Sequence, residues 1–256
     1  MTPSPPVARY PARLVAALLL VLLLAGWEFA ARWFHLSALV LPAPSAVGTS
    51  LWRGLTSGYL GPHIAQTCVE VALGLALGGG VGFVGGVVLG DSEPLRRILM
   101  PYVVTSQVVP KLALAPLFIV WFGFGTLPTV VITALICFFP LLENTLTSLQ
   151  QVNPQQLELF RMLRASRWQT LLRLKIPAGL PGIMAGLRVA VVLALVGAVV
   201  GEFVGASKGL GALIIASQGM MDTPLMFAVL VVITALGLVL YQGALLLEKH
   251  LLKAYF

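Results

Sequence analysis

The sequence predicts an all-α integral membrane protein with about six transmembrane helices, and three observations carry that reading. Of the 256 residues, 59% are hydrophobic and 10% charged, and the mean hydropathy is +0.98. The apolar residues gather into six stretches of the length that crosses a bilayer. The basic residues fall unevenly between the segments that join those stretches. A soluble domain carries charge on about a quarter of its residues. The composition therefore excludes soluble enzymes, nucleic-acid modules and disordered scaffolds. The formal charge of +7 points to basic cytoplasmic loops beside anionic membrane lipid rather than to nucleic acid.

The spans are expected at 14–33, 63–90, 97–122, 127–149, 178–205 and 224–247, within one transmembrane domain over residues 1–256. Arg9 and Arg13 before Leu14 give the first span the start of a signal peptide, but its apolar run continues through Trp27, Phe29 and Ala30 without a small-residue cleavage site. It reads as a retained helix. With the N-terminus inside, 11 of the 16 basic residues fall on inner segments: Arg9, Arg13, Arg96, Arg97, Arg161, Arg164, Arg167, Arg173, Lys175, Lys249 and Lys253. Arg32, Arg53 and Lys208 fall outside. Both termini are then cytoplasmic.

The outer segment 35–62 contains LPAPSAV, Leu41 to Val47. Pro42 and Pro44 break the chain there, and Ser45 is placed to cap a short surface helix running toward Thr56. In the second span Gly80, Gly82 and Gly85 spell GxGxxG, but no strand precedes them, as a dinucleotide site requires. Gly74, Gly78, Gly82, Gly86 and Gly90 instead form a stripe for close helix packing. Cys68 and Cys137 lie in apolar runs and are expected to be buried and inert.

Glu28, Glu70, Lys111, Glu143, Arg188 and Glu202 fall inside the spans, where a charge costs about 2–3 kcal/mol on insertion scales and needs a partner, a cavity or the interface. Glu28 and Glu202 lie near outer ends, within reach of water. Glu143 and Arg188 reach similar depths on adjacent spans and are expected to pair, either as a fixed lock or as a contact that breaks during gating. Lys111 stands between Pro110 and Pro116, whose freed carbonyls call for a cavity or protein cover. Two readings stay open for it: a positive wall of a path for an anion, or a partner for Glu70. The sequence contains no HExxH, GxSxG or phosphate-binding GxxxxGK[ST] motif.

The longest inner connection, residues 150–177, reads as two short helices. Asn153 with Pro154 starts the first, and Ser166 with Gln169 has capping-box spacing. Leu157, Phe160 and Leu163, then Trp168, Leu171 and Leu172, supply apolar faces inside a rim of arginines. The segment suits either a membrane surface or an apolar plug for a cytoplasmic partner.

This loop resembles the EAA motif of membrane subunits of ATP-binding-cassette importers. Glu158 takes the acidic position, and Leu174, Lys175, Ile176 and Pro177 take its I-x-L-P end. Leu159 and Phe160 replace the two alanines, and Arg164 stands where a glycine usually bends the chain between two coupling helices. LPAPSAV, PKLALAPLFIVWFGFG (110–125) and GEFVGASKGLGALI (201–214) are similar to the nitrate, sulfonate and taurine branch, so the resemblance spans residues 41 to about 250. It implies a type I importer permease fold and a homodimer. It also implies two ATPase subunits docked on the loop through Glu158, Leu159, Phe160, Leu163, Arg164, Ala165, Ser166, Trp168 and Pro177, and an external solute-binding protein. ATP and Mg would act in the ATPase, with no cofactor on this chain. The implied solute is a small organic or inorganic anion such as a sulfonate, nitrate or taurine, or alternatively an aminopyrimidine or aromatic acid. The competing class is a transporter or channel that works alone.

Overall fold

The computed structural model describes residues 12–34 and 37–255. Arg9 and His35 lie outside the described residues. Five helices are long and apolar enough to cross a membrane, and a sixth crossing is available if a bent pair counts as one. The first is α1 (Ala12–Trp33), followed by the short α2 (Pro44–Thr56) and the long α3 (Leu60–Asp91). Then come α4 (Glu93–Val108), α5 (Ala115–Phe122) and α6 (Thr126–Gln150). The loop helices α7 (Pro154–Met162) and α8 (Arg167–Thr170) lead into α9 (Ile176–Gly205), α10 (Leu210–Gly219) and α11 (Thr223–Tyr255).

The core is a three-helix block with α6 between α3 and α9. Glycine sets the spacing on both sides of α6. A Cβ at Gly78 would collide with the Ala134 carbonyl oxygen, one at Gly82 with that of Phe138, and one at Gly86 would lie 2.6 Å from that of Leu142. Gly186, Gly197 and Gly201 also bring α9 against α6, with backbone atoms 3.0–3.1 Å from where a Cβ would stand. Without lipid-excluded water to drive association, such backbone proximity supplies the dispersion contacts that hold membrane helices together. Cys137 sits fully buried in this block, whereas Cys68 is half-buried.

The third span, expected as one stretch from 97 to 122, is two helices bent by 78°. Pro110 has no N–H to give, and Val109 before it is extended (φ −65°, ψ 124°) as a pre-proline residue prefers. A single 3₁₀ turn, Lys111–Leu114, then leads into α5.

The α2 cap also differs from expectation. Ala43 occupies the capping position without a side-chain bond, and Ser45 lies inside the helix. Its N–H and hydroxyl both donate to the Glu28 carboxylate of α1, at 2.9 and 2.8 Å. Glu28, its side chain 25% exposed, stays within reach of water as expected and also caps α2, where the helix dipole favours a negative charge. Elsewhere α1 is almost wholly exposed, and Trp27 against Phe227 of α11, ring centroids 5.8 Å apart, is its aromatic anchor.

Candidate functional site

The loop between α6 and α9 is built by local capping. Asn153 Oδ1 accepts from the Gln155 N–H at 2.9 Å, and Pro154 opens α7, where no donor is needed. At the other end the Ala165 N–H donates to the Phe160 carbonyl at 3.0 Å and the Arg164 N–H to that of Arg161 at 2.9 Å. This double closure is a Schellman motif, and it puts its central residue in the left-handed region. That residue is Arg164, with φ 52°. The bend usual for a glycine is thus retained with an arginine in its place. Ser166 and Gln169 then form the reciprocal capping box that starts α8.

The loop has two faces. Leu159, Met162, Leu163, Trp168 and Leu172 are 53–77% exposed, with Glu158 exposed beside them. Leu157 and Phe160 are half-buried and Leu171 is buried, so the apolar knob holds Leu159 and Met162 rather than the expected Leu157 and Phe160. Ala165 is half-buried and Ser166 exposed in the turn. Pro177 is also half-buried. Lacking an N–H, Pro177 cannot serve the carbonyl four residues back, and the turn before it, Leu171–Lys175, is π-helical. Lys175 Nζ meets Asp91 Oδ1 at 2.5 Å, tying the entrance of α9 to the end of α3.

At the opposite end of the bundle lies a buried polar node. Glu202, 1% exposed and not in water, accepts from the Thr67 hydroxyl at 2.6 Å and from the Gly211 N–H at 2.5 Å. Thr67 in turn accepts from the Leu210 N–H at 2.9 Å, and His63 Nδ1 from the Gly209 N–H at 3.2 Å. Gly209 has φ 130°, and a Cβ there would fall on the Glu202 carboxylate. Glu70 is fully buried and bonded to Gln66 at 2.8 Å, and Gln66 also donates to Thr126 of α6. Four helices, α3, α6, α9 and α10, meet here. Sequence reading missed His63, Gln66 and Thr67; their spacing with Glu70 on one helix face was the available signal.

The expected pair of Glu143 with Arg188 is not formed. Arg188 Nη1 lies 2.9 Å from Glu248 Oε2 of α11, while Glu143 Oε2 is buried with no hydrogen-bond partner among the described residues. The reason is helix rotation. Gly182 and Gly186 form the edge of α9 that touches α6, and Arg188, two residues on, points about 200° away. Nor does Lys111 reach Glu70: it is half-buried at the bend and donates to Gln107 Oε1 at 2.5 Å. Pro110 and Pro116 flank it, and Val108 and Val120 are each 80% exposed.

An all-helical bundle with a paired-helix loop between its two longest-buried spans is the architecture of a type I importer permease. Residues 78–253 match the family of binding-protein-dependent transport system inner membrane components, and the chain belongs to that family. It is a multi-pass inner-membrane transport subunit. It is 37% identical to the riboflavin transport system permease protein RibX of Chloroflexus aurantiacus, over 91% of this chain and 87% of the relative. It is 34% identical to the formylaminopyrimidine transport permease protein ThiX of Halalkalibacterium halodurans (92% and 93% covered). With the putative aliphatic sulfonates transport permease protein SsuC of Bacillus subtilis it shares 33% (92% and 86%). The fold matches a chain of the inward-facing MetNI methionine ABC transporter with TM-score 0.62 at 19% identity, covering 82% of this chain and 98% of that one.

Proposed function

We propose that this chain works as a homodimeric permease driven by two ATPase subunits docked on residues 150–177, and that it imports a small organic or inorganic anion delivered by an external solute-binding protein. ATP and Mg act in the ATPase, and this chain binds no cofactor and no nucleic acid. Both termini face the bacterial cytoplasm, and α2 lies on the outer surface. The observation that carries the reading is the exposed knob of Leu159, Met162, Leu163 and Trp168 on a rigidly capped loop. Apolar side chains held out on a rigid turn beyond the span ends fit a groove on a partner. A self-sufficient transporter has no use for such a knob.

Lys111, between Pro110 and Pro116 at the bend, supplies the positive potential of the path. The names of RibX and ThiX favour a second reading of the solute, an aromatic heterocycle, through the same machinery. The test is retention of the ATPase on a tagged permease. Glu158→Lys with Leu163→Asp should release it and abolish uptake while membrane insertion stays normal; full retention and uptake would reject the docking assignment. Uptake of an alkanesulfonate, nitrate and formylaminopyrimidine by the reconstituted transporter, with Lys111→Met beside wild type, decides the solute class. Only anion uptake should fall in that variant.

A further inference from the structure

We propose that the rear face of the coupling loop holds one anionic phospholipid, its phosphate between Arg161 and Arg167 and an acyl chain in the adjoining apolar slot. The inference goes beyond the transport reading and does not depend on it.

Two cavities meet behind α7 and α8. One, of about 440 Å³, is lined by Asp91, Leu157, Arg161, Arg167, Thr170 and Lys175. The other, of about 370 Å³, is walled chiefly by Val87, Val88, Leu95, Trp168 and Leu171. They share Asp91 and Arg167. One compartment is charged and the next apolar, as a headgroup and its chain require. The pair sits where the long apolar helix α3 ends and α4 begins.

The charge balance favours an anion. Asp91 already neutralises Lys175. Among the described residues neither Arg161 nor Arg167 is in a salt bridge. Two guanidinium forks on one polar chamber match the oxygens of a phosphate diester. Val88, Leu95 and Trp168 are 41–68% exposed, so the slot is open and its apolar wall is free to take a hydrocarbon chain.

The polar chamber is distinct from the part of the knob carried by α7, and of the knob residues only Trp168 also borders the apolar slot. Leu157 and Arg161 lie one turn apart on α7, whereas Leu159, Met162 and Leu163 lie about 140–240° around the helix from Leu157. An ATPase seated on Leu159, Met162 and Leu163 leaves the polar chamber around Arg161 and Arg167 uncovered. A free phosphate would fill only the polar half.

The experiment is native mass spectrometry of the full-length permease in detergent, titrated with dioleoyl phosphatidylglycerol, dioleoyl phosphatidylcholine or glycerol 3-phosphate. Phosphatidylglycerol should bind at least tenfold more tightly than phosphatidylcholine, and glycerol 3-phosphate should not displace it. Arg161→Ala with Arg167→Ala should weaken phosphatidylglycerol about 30-fold and phosphatidylcholine, whose choline cation offsets its phosphate, by much less, so that the preference is lost. Arg173→Ala, outside both cavities, should change neither. If the double variant does not fold, brominated phosphatidylglycerol on the otherwise wild-type chain serves instead: it should quench a tryptophan signal that Trp168→Phe removes. Equal affinity for the two lipids, displacement by glycerol 3-phosphate, or quenching unaltered by Trp168→Phe would overturn the site. So would a double variant that keeps its lipid and loses the ATPase, which would assign the arginines to an acidic side chain of that partner.

Discussion

Arg188 of α9 and Glu248 of α11 form an ion pair at 2.9 Å, with their side chains 28% and 14% exposed. Removing either partner leaves a poorly hydrated charge. Arg188→Ala or Glu248→Ala should each destabilise by about 3 kcal/mol, with part of the loss recovered in the exchanged double variant. A double-mutant cycle on thermal midpoints in detergent measures this. Glu143→Gln, by contrast, should show no coupling to Arg188.

The glycine spacing gives the sharpest contrast. Gly82 packs against the Phe138 carbonyl, while a Cβ at Gly80 meets nothing within 4 Å. Gly82→Leu should therefore prevent assembly of the block, a loss of more than about 3 kcal/mol, and Gly80→Leu should change stability by less than about 0.5 kcal/mol. Size-exclusion profiles of the two variants check it.

Arg164 holds φ 52° at the loop bend. A glycine there relieves the contact between Cβ and backbone, so Arg164→Gly should stabilise the loop by up to about 1 kcal/mol, and Arg164→Val should destabilise it. Proteolysis rates within residues 150–177 report the difference. An unchanged rate in both would refute a strained left-handed arginine.

At the polar node, Glu202→Ala strands the Gly211 N–H inside the bundle and leaves the Thr67 hydroxyl only the His63 carbonyl, at 3.2 Å. The loss should be about 2 kcal/mol, and Glu202→Gln should lose less because an acceptor remains. Thermal unfolding followed by tryptophan fluorescence separates the two variants.

Single cysteines at Ser92, Gln155 and Lys253 should resist an impermeant reagent added outside intact cells, and those at Ser57, Gly125 and Lys208 should react. Labelling of 155 with protection of 208 would reverse the orientation.

Much of the fold was legible because hydropathy accumulates along a chain without reference to its neighbours. The stretches expected at 63–90, 127–149, 178–205 and 224–247 fall within α3, α6, α9 and α11. The packing stripe from Gly74 to Gly90 was legible for the same reason, being periodic on one helix. Contacts between helices were not. Arg188 was matched to Glu143 by depth alone, which says nothing of rotation, and Glu248 was passed over because it falls one residue beyond the expected end of the last span. Glu202 was read as wet from its place near a span end. Only the return of the chain through Gly209 and Gly211 covers it, and that return needs the three-dimensional path. The two short helices of the loop were legible through the caps at Asn153 and Ser166, but which apolar side chains face outward was not, because it depends on how α7 packs against the rest of the chain.

The tie between Lys175 and Asp91 gives the glycine-spaced block a mechanical property. Because α3, α6 and α9 touch backbone to backbone, they have little room to slide past one another, and a displacement applied at the loop enters two of the three at once. The block therefore answers as a single lever. Its longest arm, the 32 residues of α3, extends about 48 Å, so a tilt of about 10° at one end carries the other by about 8 Å. The stiffness that glycine provides, usually counted as stability, also fixes how far one end of the block moves when the other tilts.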